Sequence, residues 1–362
     1  MAAQKTGKRQ RLKVRLIALT SILFIAALAA ILCPGEPFLM NRATKVADTS
    51  DWDFRWTSYD WISNREVLFF RGGSPNHPIV NGWSFFKRDI AANQETYLDA
   101  LSGFAYGSFG KHSQHAISPD GKRIFWTGDE PSIYCCNLDG TQQFHFKRGL
   151  FSRIAWMADS SRLVEYVMNE DADRIAHGLI HIPGNPKSQR MLKVPAVFTT
   201  ANRNVSVSTN GQALTTTSDW EGQKAVDSVD VCEYVVGKET EPPHIHRIHL
   251  PVKATILGER FSPRGDRIVW PLLQETDIQT PILKWLHRYI PAFNLDPGAK
   301  MSIWVSRIDG SEMHEIGIVL LKPDRTNGGV VLADAPEYIF WQPDGKRLSF
   351  YLKDTLYTVP AD

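Results

Sequence analysis

The chain has 362 residues, of which 43% are hydrophobic and 22% charged, which is ordinary for a folded protein with a sizeable core. Six of its 41 basic residues lie in the first 15 positions, so the rest of the chain carries 35 Lys and Arg against 39 Asp and Glu. A mildly acidic body without a basic run excludes nucleic-acid binding, which needs Lys and Arg clustered at phosphates. Four cysteines are too few for a disulfide-rich scaffold.

The N-terminal segment predicts a membrane helix. Residues 1–15 form a basic tail without acids, and an uncharged apolar run then starts at Leu16 and ends at Leu32, just before Cys33. A helix over this run would span about 26 Å, slightly less than a hydrocarbon core of about 30 Å. We therefore predict one transmembrane helix at residues 16–33, with its basic end in the cytoplasm and the chain from residue 34 onward on the other side.

Two kinds of processing compete with an uncleaved anchor. Ala27 and Ala29 form a small-residue cleavage motif, but apolar residues 30–32 follow it where a mature N-terminus would turn polar. An uncleaved anchor is therefore preferred to a signal peptide, although the sequence leaves cleavage open. Lipidation of Cys33 is disfavoured because bulky Leu32 precedes it, where a lipoprotein motif needs a small residue.

Residues 34–54 are predicted to be a linker, and from residue 55 onward short β-type runs alternate with turn residues, which predicts an all-β fold. The clearest turns are SPDGKRIFW from residue 118 and WQPDGKRLSF from residue 341. There Pro sets φ, Asp bonds its own backbone and Gly takes a positive φ, as in a tight hairpin. The pattern recurs six times, with turn markers at Asn64, Asp120, Asp159, Asn210, Arg264 and Asp344.

The spacing of these turns indicates repeated blades. The markers lie 39 to 80 residues apart, and a period of about 40 to 50 residues is typical of a four-stranded propeller blade. A second motif supports the repeat, because SIYCCNLDGT at 132–141 and SIWVSRIDGS at 302–311 share a Ser-Ile-aromatic start and an Asp-Gly turn. Five tryptophans near the turns are predicted to be core side chains: Trp61, Trp126, Trp156, Trp270 and Trp341.

Together these motifs resemble the β-propeller repeats of the TolB type, which are related to WD-repeat propellers and to the propeller domains of prolyl-oligopeptidase-like enzymes. The resemblance covers roughly residues 55–362. It implies an all-β propeller, which we expect to have six four-stranded blades, with seven as the alternative, and it implies a protein partner. The catalytic motifs of the propeller-bearing peptidases are missing from the sequence, so no catalytic residue is carried over.

Two stretches fall outside the regular repeats. Only 18 residues follow Asp344, too few for a complete blade, so a strand from residues 42–56 is expected to close the ring and cover its edge. Residues 274–300 are expected to be an insertion with an amphipathic helix around Trp285. Packing over the side of the propeller is preferred to resting on the membrane surface, and the role of the insertion stays open.

Candidate chemistry is sparse. The sequence has no metalloprotease, phosphate-loop, dinucleotide-binding or serine-nucleophile motif. His244 and His246 would share one face of a strand, and His112 and His115 precede another strand. His115, His244 and His246 could hold the metal of a polysaccharide lyase only if the fold brought them together. The SDWEG stretch at 218–222 could contact carbohydrate, but a hairpin is preferred. We therefore assign no catalytic, cofactor-binding or metal-binding residue, and no cofactor.

The cysteines that follow the membrane segment allow two states. Cys135 and Cys136 are adjacent, and Cys232 lies in a later repeat. Free buried thiols are the preferred prediction. An exported chain would also permit one bridge between Cys232 and either neighbour, and the sequence does not choose between the two neighbours.

The leading functional hypothesis is a non-enzymatic propeller, anchored by one membrane helix, that serves as a protein-binding or envelope scaffold in the periplasm or outside the cell. Its partner is unidentified. The alternative is a propeller enzyme or carbohydrate-binding protein, metal-dependent and similar to a polysaccharide lyase, with its site in the central channel. The hypotheses differ in whether His115, His244 and His246 converge at that channel.

Overall fold

The computed structural model describes residues 38–50, 59–72, 83–102, 115–127, 132–147, 152–157, 159–168, 175–194, 204–207, 213–217, 225–234, 238, 241–275, 299–321, 323–324, 329–330 and 335–362. Within these residues strands dominate, and the two helices are single turns, α1 (Leu39–Arg42) and α2 (Asp99–Ser102). The all-β fold predicted from the alternation of strands and turns is confirmed.

The first strand of the described chain is β1 (Thr44–Asp48), and three four-stranded sheets follow it. Sheet 1 contains β2 (Asp60–Trp61), β3 (Glu66–Gly72), β4 (Trp83–Asp89) and β5 (Gln94–Tyr97). Sheet 2 contains β6 (His115–Ile117), β7 (Arg123–Thr127), β8 (Ser132–Asn137) and β9 (Phe144–Lys147). Sheet 3 contains β10 (Ser152–Trp156), β11 (Leu163–Met168), β12 (Ile175–Ile182) and β13 (Asn185–Leu192). Consecutive strands pair antiparallel in each sheet.

The remaining strands form two sheets and a ribbon. Sheet 4 contains β14 (Asn204–Val207), β15 (Ala213–Thr217), β16 (Val226–Glu233), β17 (His244–Ile256), β18 (Arg260–Phe261), β19 (Arg267–Glu275), β20 (Ala299–Arg307) and β21 (His314–Leu321). The ribbon pairs β22 (Pro323–Asp324) with β23 (Gly329–Val330). Sheet 5 contains β24 (Glu337–Trp341), β25 (Arg347–Tyr351) and β26 (Thr355–Pro360), with β1 beside β26.

The sheets are arranged as a ring. The first strands of successive sheets contact each other in the order β2, β6, β10 and β14, and β18 contacts β24 in the same way. The ring closes between sheets 5 and 1, where the Tyr59 hydroxyl donates a hydrogen bond to the carbonyl oxygen of Tyr338 at 3.0 Å. The fold is therefore a β-propeller, and the first strand of each four-stranded run lies nearest the axis.

Strand β1 completes the last sheet. It pairs antiparallel with β26, from Thr44 opposite Thr358 to Asp48 opposite Thr355. The guanidinium of Arg42 donates to the carbonyl oxygens of Ile316 at 2.8 Å and Asp362 at 2.6 Å. This strand lies within residues 42–56, the range from which a ring-closing strand is expected, and it covers the outer edge of β26.

The number of blades differs from the predicted six or seven. Among the described residues the structure has five sheets of four or more strands, hence five blades, and the fourth is eight strands wide. The cause is β17, whose 13 residues pair first with β16 and then, at Thr255 and Ile256, with β19. Asn210 lies outside the described residues, but the strands on either side of it and the turn at Arg264 belong to one continuous sheet, so the prediction of six separate blades is wrong.

In the part of the chain that the structure describes, no helix is long and apolar enough to cross a membrane. The predicted basic tail and membrane helix, residues 1–33, lie outside the described residues, as do residues 276–298 of the predicted insertion with their expected helix. Glu275 and Ala299, which flank that stretch, lie opposite each other in β19 and β20. The insertion therefore connects two paired strands of sheet 4.

The apolar core lies between the sheets. In β7, Ile124 and Phe125 are both buried although they point to opposite faces. Ile124 packs in a cluster with Leu68 of sheet 1, while Phe125 packs against Trp156 of sheet 3, with ring centroids 6.2 Å apart. Because a sheet of the ring has a neighbour on each face, its second strand is a continuous apolar run rather than an alternating one.

Sheet 4 also packs against itself. Val231 and Ile248, from the β14–β17 half, share a buried cluster with Ile268 and Trp270 from the β18–β21 half. The eight strands therefore form two halves that meet through apolar side chains, as neighbouring sheets do elsewhere in the ring.

The recurring turn has the same geometry in its clearest copies. The N–H of Gly121 donates to the carbonyl oxygen of Ser118 at 2.8 Å, and the N–H of Arg123 donates to Ser118 Oγ at 2.9 Å. Gly121 has φ +72° and Gly345, at the same place in sheet 5, has φ +69°, a region that side chains with a Cβ rarely adopt. The predicted turn chemistry is therefore confirmed.

These turns also link neighbouring sheets. The N–H of Asp120 donates to Ser160 Oγ in the turn of sheet 3 at 3.0 Å, and the N–H of Asp344 donates to Asn64 Oδ1 in the turn of sheet 1 at 3.1 Å. Each bond runs from one turn to the turn of the next sheet around the ring. The repeated motif therefore stabilises both its own hairpin and the contact between sheets.

The five tryptophans predicted as core are all buried, with none more than 8% exposed. Some of them also bond a neighbouring sheet: Trp156 Nε1 donates to the carbonyl oxygen of Ala116 at 2.9 Å, Trp341 Nε1 to that of Arg260 at 3.0 Å, and Trp61 Nε1 to Ser349 Oγ at 2.8 Å. A buried indole needs such an acceptor for its N–H group.

Cys135, Cys136 and Cys232 are free and buried, so neither alternative bridge is formed. Burial raises the pKa of each thiol to about 12, which keeps all three protonated and unreactive. They act as small apolar side chains between sheets.

Candidate functional site

Three strands carry charged side chains that the packed core does not bury: the first strands of sheets 1 and 3, and the first strand of the β18–β21 half of sheet 4. Asp60 of β2 is half-buried, and Arg153 of β10 and Arg260 of β18 are exposed. Each lies between two buried neighbours in sequence. Since successive side chains of a strand point to opposite sides, each strand packs one side and leaves the other open. We call Asp60, Arg153 and Arg260 the central charge cluster.

Two electrostatic interactions link the three side chains. Arg260 acts electrostatically on both Asp60 and Arg153. Sheet 5 separates β18 from β2 around the ring, and the β14–β17 half of sheet 4 separates β18 from β10. Side chains from strands that are not neighbours can influence one another only across the space that the first strands enclose. The central charge cluster therefore lines the centre of the propeller.

Asp60 is the acid of the cluster. Burial raises its pKa to about 8, against the attraction of the Arg260 guanidinium and a backbone hydrogen bond from Ile117 of β6. The cost of desolvating the carboxylate therefore outweighs the effect of the nearby positive charge. At neutral pH the protonated form predominates.

Arg260 is exposed to solvent, yet protein surrounds its guanidinium closely enough that desolvation lowers its pKa, against the attraction of Glu259 and Asp60. Both observations hold for a side chain in a narrow, solvent-filled space. The guanidinium lies over the ring of Phe340 from β24, with 5.4 Å between its central carbon and the ring centroid. This cation–π contact orients the group and leaves its N–H edges free.

Arg153 has the same character. It is exposed on β10, and desolvation followed by the positive charge of Arg260 lowers its pKa. Within the described residues, neither Arg153 nor Arg260 donates a side-chain hydrogen bond or lies at ion-pair distance from an acid. The cluster thus holds two guanidinium groups that repel each other and whose N–H donors have no partner in the described part of the chain.

The strand that carries Asp60 is fixed on both sides of it. Trp61 Nε1 donates to Ser349 Oγ at 2.8 Å, and the Tyr59 hydroxyl oxygen lies 2.8 Å from the same Ser349 oxygen. Burial raises the pKa of Tyr59 above its ordinary range, so the hydroxyl remains a donor. The junction of sheets 5 and 1 therefore positions Asp60 through its neighbours.

Sequence reasoning missed this cluster, although a signal was present. Asp60 and Arg260 immediately precede the aromatic residues Trp61 and Phe261 that end their first strands, and Arg153 lies three positions before Trp156. Positions one and three before the same residue point to the same side of a strand. Alignment of the repeats at that aromatic residue would have placed all three charges on one side.

The histidines singled out in the sequence do not converge. His244 and His246 lie on β17, the fourth strand from the axis in its half of sheet 4, whereas His115 lies on β6 at the axis. His246 Nε2 is 3.2 Å from Glu233 Oε2, a cross-strand pair. No group of three or more His, Cys, Asp or Glu in the described ranges could hold a metal. His112 and the SDWEG stretch at 218–222 lie outside those ranges.

A second polar pair is buried away from the axis. His181 Nε2 of β12 lies 2.7 Å from Glu165 Oε2 of β11, and both side chains are at most 1% exposed. The ring of Phe146 from sheet 2 packs against His181 with centroids 5.2 Å apart. The pair is enclosed between sheets 2 and 3, so we interpret it as part of the core.

No protein-family model matches this chain, and no curated protein matches it. Solved structures similar to it include oligogalacturonate lyase from Vibrio parahaemolyticus, at 10% identity and a TM-score of 0.44, covering 88% of this chain and 93% of that chain. The β-propeller domain of the Trilobed protease from Pyrococcus furiosus is similar at 12% identity and a TM-score of 0.44, covering 84% and 82%. The tricorn protease has 10% identity and a TM-score of 0.43, covering 83% of this chain.

This chain spans 29% of the tricorn protease chain and 50% of the chain of a similar prolyl endopeptidase. Large parts of those enzyme chains therefore do not align with this chain. With TM-scores below 0.5, the likenesses carry no conclusion about activity. The propeller fold rests on the strand order and on the contacts between sheets described above.

Proposed function

We propose that this protein is a binding propeller, held at a membrane with its ring on the extracytoplasmic side, where it serves as a protein-binding or envelope scaffold. The basic tail and apolar run of residues 1–32 support the anchor and its orientation. The TolB-type resemblance of the turns and Asp-Gly motifs supports a protein partner.

The observation that carries the binding role is the central charge cluster. The sheets pack on one another through apolar clusters, and a desolvated charge at the axis costs free energy without contributing to that packing. Perturbed ionisable groups in a concave position are characteristic of functional sites. Asp60, Arg153 and Arg260 therefore favour a ligand or a partner side chain at the centre of the ring.

We further propose that sheet 4, although one continuous blade, acts as two packing units joined through β17. The buried cluster between its halves supports this, because each half then packs like a separate sheet. On this view residues 55–362 form one propeller, and the linker at 34–54 contributes its ring-closing strand, β1. No observation favours the metal-dependent lyase as a second candidate, because His115 lies on β6 at the axis whereas His244 and His246 lie on β17, the fourth strand from it.

A crosslinking pull-down from intact membranes tests the proposal. We expect the full chain to capture a reproducible protein partner, and an Arg153→Gln, Arg260→Gln double variant to lose it. Arg264→Gln is the matched control, because Arg264 is an exposed arginine in the turn after β18, with 72% of its side chain accessible. Capture that is unchanged in the double variant would place the binding surface elsewhere, and absence of any partner would contradict the scaffold role.

The proposed orientation has its own test. A reporter that is active only outside the cytoplasm, fused after Asp362, should be active in cells that express the full chain. A reporter that is active only in the cytoplasm, fused at the same place, should be silent. The opposite pair of results would overturn the orientation.

A further inference from the structure

We propose that the centre of the propeller is a binding site for an oxyanion, with the guanidinium groups of Arg153 and Arg260 as its ligands. The proposal identifies the chemical group that the ring recognises. It rests on the proposed function only where that group belongs to a protein partner.

The first argument is charge balance at the axis. Two guanidinium groups from strands that are not neighbours influence each other across the enclosed space, and desolvation disfavours the charge on both. Neither has a hydrogen-bond or ion-pair partner among the described residues. Glu259 and Asp60 attract Arg260, whereas the one charge that acts on Arg153 among the described residues is the positive charge of Arg260. An anion between the two guanidinium groups would remove their repulsion and accept hydrogen bonds from both.

The second argument is geometry. A guanidinium presents its N–H groups as a planar fork, which matches the paired oxygens of a carboxylate or a phosphate. The face of Arg260 rests on the Phe340 ring at 5.4 Å, so this group is held by its face while its edges stay free to donate. Arg153 reaches the same space from β10, on another side of the ring. An oxyanion between them would receive donors from two directions.

Asp60 does not repel an anion at this place, because burial keeps its side chain protonated near neutral pH. Among the described residues, the ionisable groups near Asp60 include Arg260 across the axis and Tyr59 beside it on β2, and Glu259 lies next to Arg260. Glu259 is buried, with 1% exposure, and so does not compete for the solvent-filled space.

The oxyanion could come from two sources. It could be a free small anion, or a carboxylate that a protein partner inserts into the ring. The chemistry at the guanidinium groups is the same in both cases, so the experiment has one arm for the site and one for the source.

In the first arm, the purified full chain is titrated with citrate and with inorganic phosphate in a Tris chloride buffer at pH 7, and binding is followed by calorimetry. We expect saturable binding of at least one of the two, and about ten- to hundredfold weaker binding in Arg153→Gln and in Arg260→Gln, because each removes a charge-assisted pair of hydrogen bonds. Arg264→Gln should bind like the unmodified chain.

Thermal unfolding without anion separates a ligand role from a structural one. Removing one of two mutually repelling, desolvated cations should leave the midpoint of unfolding unchanged or raise it. A variant with normal or raised stability and weakened binding supports the proposal. Absence of saturable binding by the unmodified chain up to millimolar anion, or equal losses in Arg264→Gln, would overturn it.

In the second arm, citrate and phosphate are added to the crosslinking pull-down before the crosslinker. Release of the partner would indicate that the partner presents the oxyanion, and retention would indicate a free anion. The titration uses purified protein, so absence of anion binding would not contradict capture of a partner. Absence of a partner would likewise not contradict anion binding in the titration.

Discussion

At the residue scale, Asp60 shows that burial can outweigh an attractive charge. A carboxylate near an arginine usually has a lowered pKa, but here desolvation raises it to about 8. The acid is therefore neutral under ordinary conditions, and the two arginines determine the charge of the cluster. Within the cluster, Asp60 is therefore the group that loses its proton first as the pH rises.

This titration predicts a pH dependence of anion binding. Below about pH 8 Asp60 is protonated and the cluster is most positive, so affinity for citrate or phosphate should be highest there and should fall as the pH rises through that value. Calorimetric titrations with citrate at pH 7.5 and pH 9 measure the difference, because the three carboxyl groups of citrate are almost fully ionised at both values.

Asp60→Asn is the control for this dependence. An amide keeps the size and the donor but cannot ionise, so this variant should bind the anion almost equally at both pH values. If the variant retains the full pH dependence, a group other than Asp60 is responsible for it.

Two glycines at the same turn position provide a second prediction. A Cβ at Gly121 would lie 2.6 Å from the carbonyl oxygen of Ile62 in the neighbouring sheet, whereas a Cβ at Gly345 would have nothing within 4 Å. Gly345→Ala should therefore cost only the left-handed backbone, about 1–2 kcal/mol, and Gly121→Ala should cost about 2–4 kcal/mol because the neighbouring turn must move.

Urea unfolding of the two variants measures the difference, provided that the slope of the free energy against urea is unchanged. Equal losses would mean that the turns of sheets 1 and 2 are not in firm contact. The comparison isolates the contact between sheets because both substitutions have the same backbone cost.

At the scale of strands, the Glu165–His181 pair joins β11 and β12 where no water reaches it. His181→Leu should lower the free energy of unfolding by about 3 kcal/mol, because the buried carboxyl group loses this hydrogen bond. Glu165→Gln keeps an oxygen at the same place and should cost only about 1 kcal/mol. Urea unfolding checks both values, and a larger loss in Glu165→Gln would contradict this interpretation of the pair.

Strand patterns and turns were largely predictable because they depend on local chemistry. The Asp-Gly turns and the buried tryptophans follow from residues within ten positions of one another, and the propeller class follows from the repetition of those turns along the chain. The fusion of repeats in sheet 4 was not predictable in this way. It depends on Thr255 and Ile256 extending β17 beyond its ladder with β16, and no turn residue marks that extension.

The central charge cluster was not predicted for a different reason. Asp60, Arg153 and Arg260 are far apart in the chain, and each alone is an ordinary charged residue at the start of a strand. Only the ring brings them to one axis, because it places the first strands of separate sheets next to one another. The conspicuous histidines, by contrast, lie on strands whose distances from the axis the sequence does not reveal.

At the scale of the whole molecule, residues Leu39–Asp362 form one compact unit. A chain that begins at Leu39 should therefore fold and unfold cooperatively in urea. A chain that begins at residue 51 lacks β1 and the fully buried Leu39, so it should be markedly less stable and should aggregate through the uncovered edge of β26. Size-exclusion chromatography and urea unfolding compare the two, and equal stability would show that β1 is dispensable.

The pairing of β1 with β26 also has a kinetic consequence. Thr44 and Thr358 are partners in this ladder although almost the whole described chain lies between them, so the pairing has a very high contact order and a large loop-closure entropy. Among the described strands β1 is synthesised first, and it can pair only after β26, the last strand, has been synthesised. Until then both edges stay unpaired and open to other chains. We therefore expect this ladder to form last in folding, and the time that β1 remains unpaired should set the risk of aggregation during synthesis.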